Sequence, residues 1–295
     1  MTFSVKQLRF TFVLDKDNPA RFQGNNNTLQ ITGLRATADI DYPGPPSFPT
    51  ANVRIYGMKP SDMQALTGLT FGVLTYTRAS MQIESNSGNG WTTVFVGQLV
   101  TSVTDFEQMP DVAFQITAQT LGFDLLNPAT PTSFPSSASF DQVLRTIVLK
   151  MNLNYSSVGI TGTFPAATYF PGTPPDQLRT ATQKAGLVYY TDIPGLVEIG
   201  LPGAPRSITK QVVTPQNGLV KEPTLNSVNL IGVVAEFNPS FRFGAPLEIQ
   251  GAQQLSANGN WVIYDCKYNL SSLMPDGPWF ARMTAQPPAG FGISQ

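Results

Sequence analysis

The chain has 295 residues and no histidine. That absence removes Ser-His-Asp and Cys-His catalytic arrangements, histidine metal ligands and a histidine pH switch together. There is a single cysteine, Cys266, so no intrachain disulfide can form, and a thiolate nucleophile there would lack its usual base. Alternation around Cys266 predicts a buried strand residue instead. Charge is scarce: Asp, Glu, Lys and Arg make up 13% of the chain, against roughly 25% in an average globular protein. The formal net charge is -1, and no cluster of Lys and Arg occurs. This argues against a nucleic-acid surface that works by counterion release. Long apolar runs are missing too, and none approaches the ~20 residues of a transmembrane helix. The N-terminal stretch MTFSVKQLRFTFVL alternates polar and apolar residues and forms no signal-peptide block, so synthesis in a cytoplasm is expected. Without a secretory signal, the glycosylation-like triplets at Asn26, Asn154 and Asn269 are accidental matches.

In place of charge the chain carries Ser, Thr, Asn, Gln, Gly and Pro, with hydrophobic residues at 41%. A polar but weakly charged surface suits a chain packed against other subunits, because desolvating a charge costs far more than desolvating a hydroxyl. A turn-rich β protein would share this composition. The near-neutral balance also suits a wall that DNA slides past without sticking. The length can bury one large core or two ordinary ones.

Motifs for chemistry are weak. Asp39 with Asp41 on one face of a strand, and Glu107 with Asp111 near a turn, are the candidate acidic pairs for a glycosidase. With nineteen acidic residues some pairs must occur. Asp15-Lys16-Asp17-Asn18 begins like a calcium loop, but Pro19 and the lack of a following Gly and distal Glu break it. Gly88-Asn89-Gly90 lacks the third glycine and the helix of a dinucleotide fingerprint. Trp91, Trp261 and Trp279 could form a sugar platform, yet aromatics at strand spacing belong more often to cores and interfaces. No catalytic, cofactor-binding or metal residue is assigned, and no cofactor is expected.

Periodicity points to strands at both ends. Leu8, Phe10, Phe12 and Leu14 alternate on one face of the first strand. Leu29 to Tyr42 gives one or two more strands, and Val53 to Met58 another. Pro60-Ser61-Asp62 opens a brief helix with Ser61 as its cap. Val73 to Glu84 and Trp91 to Phe106 form a long hairpin, and Val112, Phe114, Ile116 and Ala118 face one way on a further strand. The stretch from Tyr42 to Pro49 is too rich in proline for regular structure, which makes it a stiff connection or a contact for a neighbour. Asn127 to Ser137 reads as a linker. After it the period changes: Ser139 caps a helix with Val143, Leu144, Ile147, Val148 and Met151 on one side, and Lys150 in its last turn suits the dipole. A second helix follows Pro174-Pro175 and ends at Gly186. Each helix hands over to a strand, at Leu153 to Tyr155 and at Leu187 to Tyr190, and Val188 to Thr191 pairs with Leu196 to Gly200 as a hairpin. The last third returns to strands. Ile231, Val233, Ala235 and Phe237 alternate up to Asn238-Pro239. In a later strand Val262, Tyr264, Cys266, Tyr268 and Leu270 oppose Trp261, Asp265, Lys267 and Asn269.

The C-terminal runs FNPSFRFGAPLEIQ, GNWVIYDCKYNLSS and GPWFARMTAQ, and the segment LRTATQKAGLVYYTDIPGLVEIGLPGAPR ending at Gly203, Ala204, Pro205 and Arg206, carry a family likeness. Over roughly Asp176 to Gln286 the sequence resembles the central hub proteins of bacteriophage contractile-tail baseplates. The resemblance implies a mainly β chain with a small α+β insert: tail-tube-like β-barrel domains at 1–126 and 221–295 flanking an inserted helix-strand domain at 127–220. It also implies a structural protein of the virion, a homotrimer that is not an enzyme. Such a hub joins the six-fold tail tube to the three-fold central spike and lines the DNA channel. Its partners would be its own copies, tube or tube-initiator proteins, the spike and other baseplate proteins; DNA would only pass through, and no membrane is involved. A tube initiator or adaptor is the related alternative, and a tail-associated cell-wall glycan-binding or glycan-degrading protein is the alternative of a different class.

Overall fold

The computed structural model describes residues 5–16, 20–67, 69–70, 73–74, 79–107, 109–192, 195–227 and 229–288. The chain is mainly β, with 48% strand and 12% helix, and three α-helices occur among the described residues. It divides into two compact units: one of residues 1–41, 49–122 and 267–280, the other of 42–48, 123–266 and 281–295.

The first unit is built on alternation. In the strand Gln7–Leu14 the side chains of Leu8, Phe10, Phe12 and Leu14 are fully buried, and the residues between them are not. Period two puts every second residue on one face, so four large apolar groups leave water together. The same rule places Ala36, Ala38 and Ile40, then Ala51, Val53 and Ile55, then Phe114, Ile116 and Ala118 in this core. The strands run in the order Gly259–Ser272, Ala36–Tyr42, Thr50–Tyr56, Ala113–Gln119, Thr92–Asp105, Ala79–Asn86, Gln7–Leu14 and Thr28–Thr32, the first contributing its C-terminal residues. Among the described residues this order does not close into a barrel.

A register shift between Leu99 and Thr101 inserts Val100 as an extra residue. The bulge exchanges the faces of the strand, so Ser102 and Thr104 turn inward. There Ser102 donates to the Leu66 carbonyl at 2.7 Å and Thr104 lies 3.8 Å from the Met63 sulfur. Both partners belong to the helix Pro60–Leu66. The expected cap at Ser61 is not formed. Lys59 holds the cap position without a side-chain bond, and Pro60 opens the helix, where its missing N–H costs nothing. Of the expected strand from Val73 to Glu84, residues 75–78 lie outside the described residues; its second part is the strand Ala79–Asn86.

The second unit contains the α+β module. Ser139 caps the helix Phe140–Leu149 by accepting from the Gln142 amide. Val143, Leu144, Ile147 and Val148 are buried on its inner side. Thr173 caps Pro174–Ala185, and Gly186, at φ 65°, ends that helix in the left-handed region. The strand Asn154–Ser157 pairs in parallel with Leu196–Gly200, which pairs antiparallel with Val188–Asp192. This is the helix-strand repeat expected from the sequence.

Two expectations are corrected here. Lys150 stands just past its helix, and its ammonium reaches the Thr130 carbonyl, Thr132 Oγ1 and Gln177 Oε1 at 2.6, 2.6 and 3.0 Å. It therefore ties down the segment read as a linker, in which Thr132 is buried and also donates to Gln177 at 2.7 Å.

This unit's strands in the large sheet are ordered Leu219–Ser227, Leu230–Glu236, Trp279–Gln286 and Gly259–Ser272, and Pro246–Ile249 joins the last of these to Gln211–Val213. Ile231, Val233 and Ala235 are buried as expected. Asn238 closes the strand by accepting from the Ser240 amide at 2.9 Å. In Gly259–Ser272, Val262, Cys266, Tyr268 and Leu270 are buried, but Tyr264 is half exposed while Ile263 is fully buried. The alternation fails there because the strand is apolar on both sides at 262–263, and Tyr264 instead meets Phe243 edge-on at 6.2 Å.

Candidate assembly surfaces

The outward face of the first unit's sheet is almost free of unpaired charge. Cross-strand neighbours alternate amide and hydroxyl groups, since strand partners on one face stand close enough to bond. Gln30 donates to Thr11 at 3.3 Å, Gln82 to Thr93 at 3.1 Å, Thr117 to Asn52 at 3.0 Å and Asn269 to Asp39 at 2.6 Å. Six of the charged groups on this unit form three ion pairs. Arg9 grips both oxygens of Glu84, each at 2.6 Å, beneath the Trp91 ring at 4.4 Å. Lys267 meets Asp41 at 3.0 Å, and Arg35 meets Asp111 at 2.9 Å while stacking on Tyr56.

Across this polar face runs an apolar line. Val96, Val100 and Val103 on Thr92–Asp105 are exposed, and the turn beyond carries Phe106 at 61% and Met109 at 72% exposure. Five exposed large apolar residues thus fall within fourteen positions. Isolated exposed apolar groups are ordinary, but five so close together on one strand and its turn make a candidate contact surface. Its neighbours Gln98, Thr101, Gln115, Thr117 and Gln119 are uncharged, so covering the strand part costs little, while Asp105 and Glu107 add two carboxylates beside Phe106.

The second unit is pinned by a buried ion pair. Glu198 and Arg206 keep 1–9% side-chain exposure, and Arg206 Nε and Nη2 lie 3.0 and 2.8 Å from one Glu198 oxygen. Glu198 sits opposite Tyr190 in the hairpin. Arg206 lies 5.3 Å over the Tyr190 ring and donates its amide to the Gly244 carbonyl at 2.9 Å. Burial pushes the Tyr190 hydroxyl up to about 12, against the pull of Arg206, so it stays protonated and donates to the Ala204 carbonyl at 3.3 Å. Gly244 has φ 78°, and a Cβ there would come within 2.4 Å of Tyr190. The proline-rich stretch is anchored in the same unit: Tyr189 donates to the Pro46 carbonyl at 3.1 Å and packs on Phe48. The one sequence signal for the ion pair was a Glu inside the otherwise apolar run LVEIG.

The candidates for chemistry have the following partners. Asp39 and Asp41 are held by Asn269 and Lys267 of the adjoining strand. Asp111 pairs with Arg35, and the Glu107 amide donates to Asp105 at 2.9 Å. Cys266 is fully buried. Trp261 and Trp279 donate their indole N–H groups to the Ala257 carbonyl at 2.8 Å and to Ser87 at 3.0 Å. Gly88 and Gly90, at φ 103° and 100°, make a hairpin turn. Of the calcium-like run, Asp17 and Asn18 lie outside the described residues.

The fold is similar to that of several solved structures. The tail protein from Neisseria meningitidis MC58 aligns at TM-score 0.66 and 9% identity, over 96% of this chain and 97% of that one. The 43 kDa tail protein of prophage MuSo2 from Shewanella oneidensis aligns at 0.61 and 7%, over 95% and 97%. The E. coli c3393 protein, a type VI secretion component described as structurally similar to the T4 tail proteins gp27 and gp5, aligns at 0.59 and 9%, over 95% and 77%. At such identities the likeness shows the fold alone. No curated protein matches the sequence. The family model described as Baseplate hub gp41 matches residues 72–284, which is most of the chain and spans both compact units, so the chain belongs to this family of phage baseplate hub proteins.

Proposed function

We propose that the chain is the central hub of a phage tail, a homotrimer that joins the six-fold tube to the three-fold spike and surrounds the path of the DNA. The observation that carries this reading is the family match over residues 72–284. The surfaces agree with it in kind. Weak charge lets faces be covered cheaply, and a wall with few cations offers phosphates little to hold. In this reading 1–126 and 221–295 are the tube-like parts, packed face against face with those of sister chains in a ring, and 127–220 is the insert between them. Assembly takes place in the host cytoplasm before the hub enters the virion. The function is geometric, matching one symmetry to another through interfaces, with no reaction.

The test is a pair of variants in particles. Val100→Asp with Val103→Asp puts carboxylates into the apolar line and is expected to leave the fold intact while preventing tails from forming. Asp39→Asn with Asp41→Asn is expected to leave tail formation and infection intact. A wall-degrading role would show the reverse: assembled tails that fail to open the cell wall in the amide variant.

A further inference from the structure

The two outermost strands of the sheet orders differ in how they are protected. Leu219–Ser227 carries Lys221, Glu222 and Pro223 and three register shifts against its neighbour. These are the devices that keep an edge from pairing with another chain. Thr28–Thr32, the last strand in the first unit's order, has none of them: its sequence is TLQIT, with no charge, no proline and an unbroken register against Gln7–Leu14.

The orientation of its backbone follows from two hydrogen bonds. Asn27 accepts from the Leu14 amide at 2.8 Å, while Asn26 accepts from the Phe22 amide at 2.9 Å. In an antiparallel ladder bonded pairs alternate, so odd-numbered residues bond toward Gln7–Leu14 and even-numbered ones point away. Thr28, Gln30 and Thr32 therefore aim their N–H and C=O groups out of the edge. The Phe22–Asn26 bridge covers the edge before Thr28, and Gly33, at φ 75°, turns the chain aside after Thr32. Among the described residues, the stretch with no strand beside it on the outer side is those five residues.

That stretch reads almost the same in both directions. A two-fold axis through Gln30, perpendicular to the sheet, sets Thr28 against Thr32 of a second copy, Leu29 against Ile31, and Gln30 against Gln30. Such an axis keeps the faces: Leu29 and Ile31 stay on the core side and Gln30 stays outside. Each outward-pointing residue then falls in a bonded pair, giving about six new backbone hydrogen bonds, with no like charges opposed.

We propose that Thr28–Thr32 is a self-pairing edge, through which two copies of this chain join antiparallel about Gln30. The pairing caps the edge in free protein and doubles whatever oligomer the other surfaces form. It is independent of the hub reading: a trimer would become a hexamer, a monomer a dimer.

The test is light scattering of the full chain from low to several hundred micromolar, with Gln30→Lys and Gln30→Pro beside it. The mass is expected to double with concentration in the wild type and not in the variants. Gln30→Lys opposes two ammonium groups, and Gln30→Pro removes a backbone donor at a position whose backbone makes no bond to Gln7–Leu14 and whose side chain gives up only the exposed contact with Thr11, so both should fold. A mass that never doubles, or doubling that survives both variants, would overturn the proposal.

Discussion

Arg206 directs Nε and Nη2 onto one oxygen of Glu198, at 3.0 and 2.8 Å, in a place almost closed to water. Removing one member leaves the other charged and buried without its counterpart, which costs about 3–5 kcal/mol. Arg206→Met and Glu198→Gln are each expected to lose that much in urea unfolding. Replacing both at once should cost less than the sum of the two, because the stranded charge is gone.

Gly244 belongs to the same node and tests its packing. Its left-handed backbone disfavours a Cβ by about 1–2 kcal/mol, and overpacking against Tyr190 adds about 1–3 kcal/mol. Gly244→Ala should therefore be among the costlier glycine substitutions. Gly186→Ala, at φ 65° with open space around it, should show the backbone cost alone. Equal losses for the two would mean that Tyr190 yields freely.

A pH effect is expected in the α+β module. Asp141 accepts from Ser157 at 2.7 Å and Tyr155 at 2.8 Å. The Ser157 bond first, then Tyr155 and Arg145, hold its carboxyl below the ordinary 3.8. A group depressed on folding stabilises the fold above its unfolded value, and the gain disappears as pH falls through the folded value. Asp141 is partly exposed, so the effect is modest, about 1 kcal/mol. Asp141→Asn should lower the urea midpoint at neutral pH, and the difference from wild type should shrink below the ordinary 3.8. A difference that persists there would assign the loss to shape and not to charge.

Surface pairs should matter little. Asp41 and Lys267 are each more than a third exposed at 3.0 Å, so Asp41→Asn is expected to change stability by less than about 1 kcal/mol. A large loss, measured by the same unfolding curves, would mean that this pair does more than solvate the sheet.

Where one period governed a segment, the sequence was enough. Leu8 to Leu14, Ile231 to Ala235 and the inner side of Phe140–Leu149 have a single buried face each, and their burial follows from spacing. Legibility failed where an element is covered on two sides or where a polar group is used at a distance. Tyr264 looked inward because its parity matched Val262 and Cys266, yet Ile263 took the buried position. Lys150 suited a helix dipole, but its ammonium bonds a segment about twenty residues earlier in the chain. Ser61 resembled a cap, but Pro60 set the helix start one residue before it. The Arg206–Glu198 pair joins residues whose contact no local pattern announces. The apolar line from Val96 to Met109 was hidden by the bulge at Val100, since exposure there depends on a one-residue shift.

The most direct test of the central claim is the solution mass of the purified chain at the dilute end of a light-scattering series. A hub that matches three-fold to six-fold symmetry closes on itself in threes, so the mass should be three chain masses, falling to one in Val100→Asp with Val103→Asp. A wild-type chain that stays at one chain mass throughout would contradict the trimeric hub.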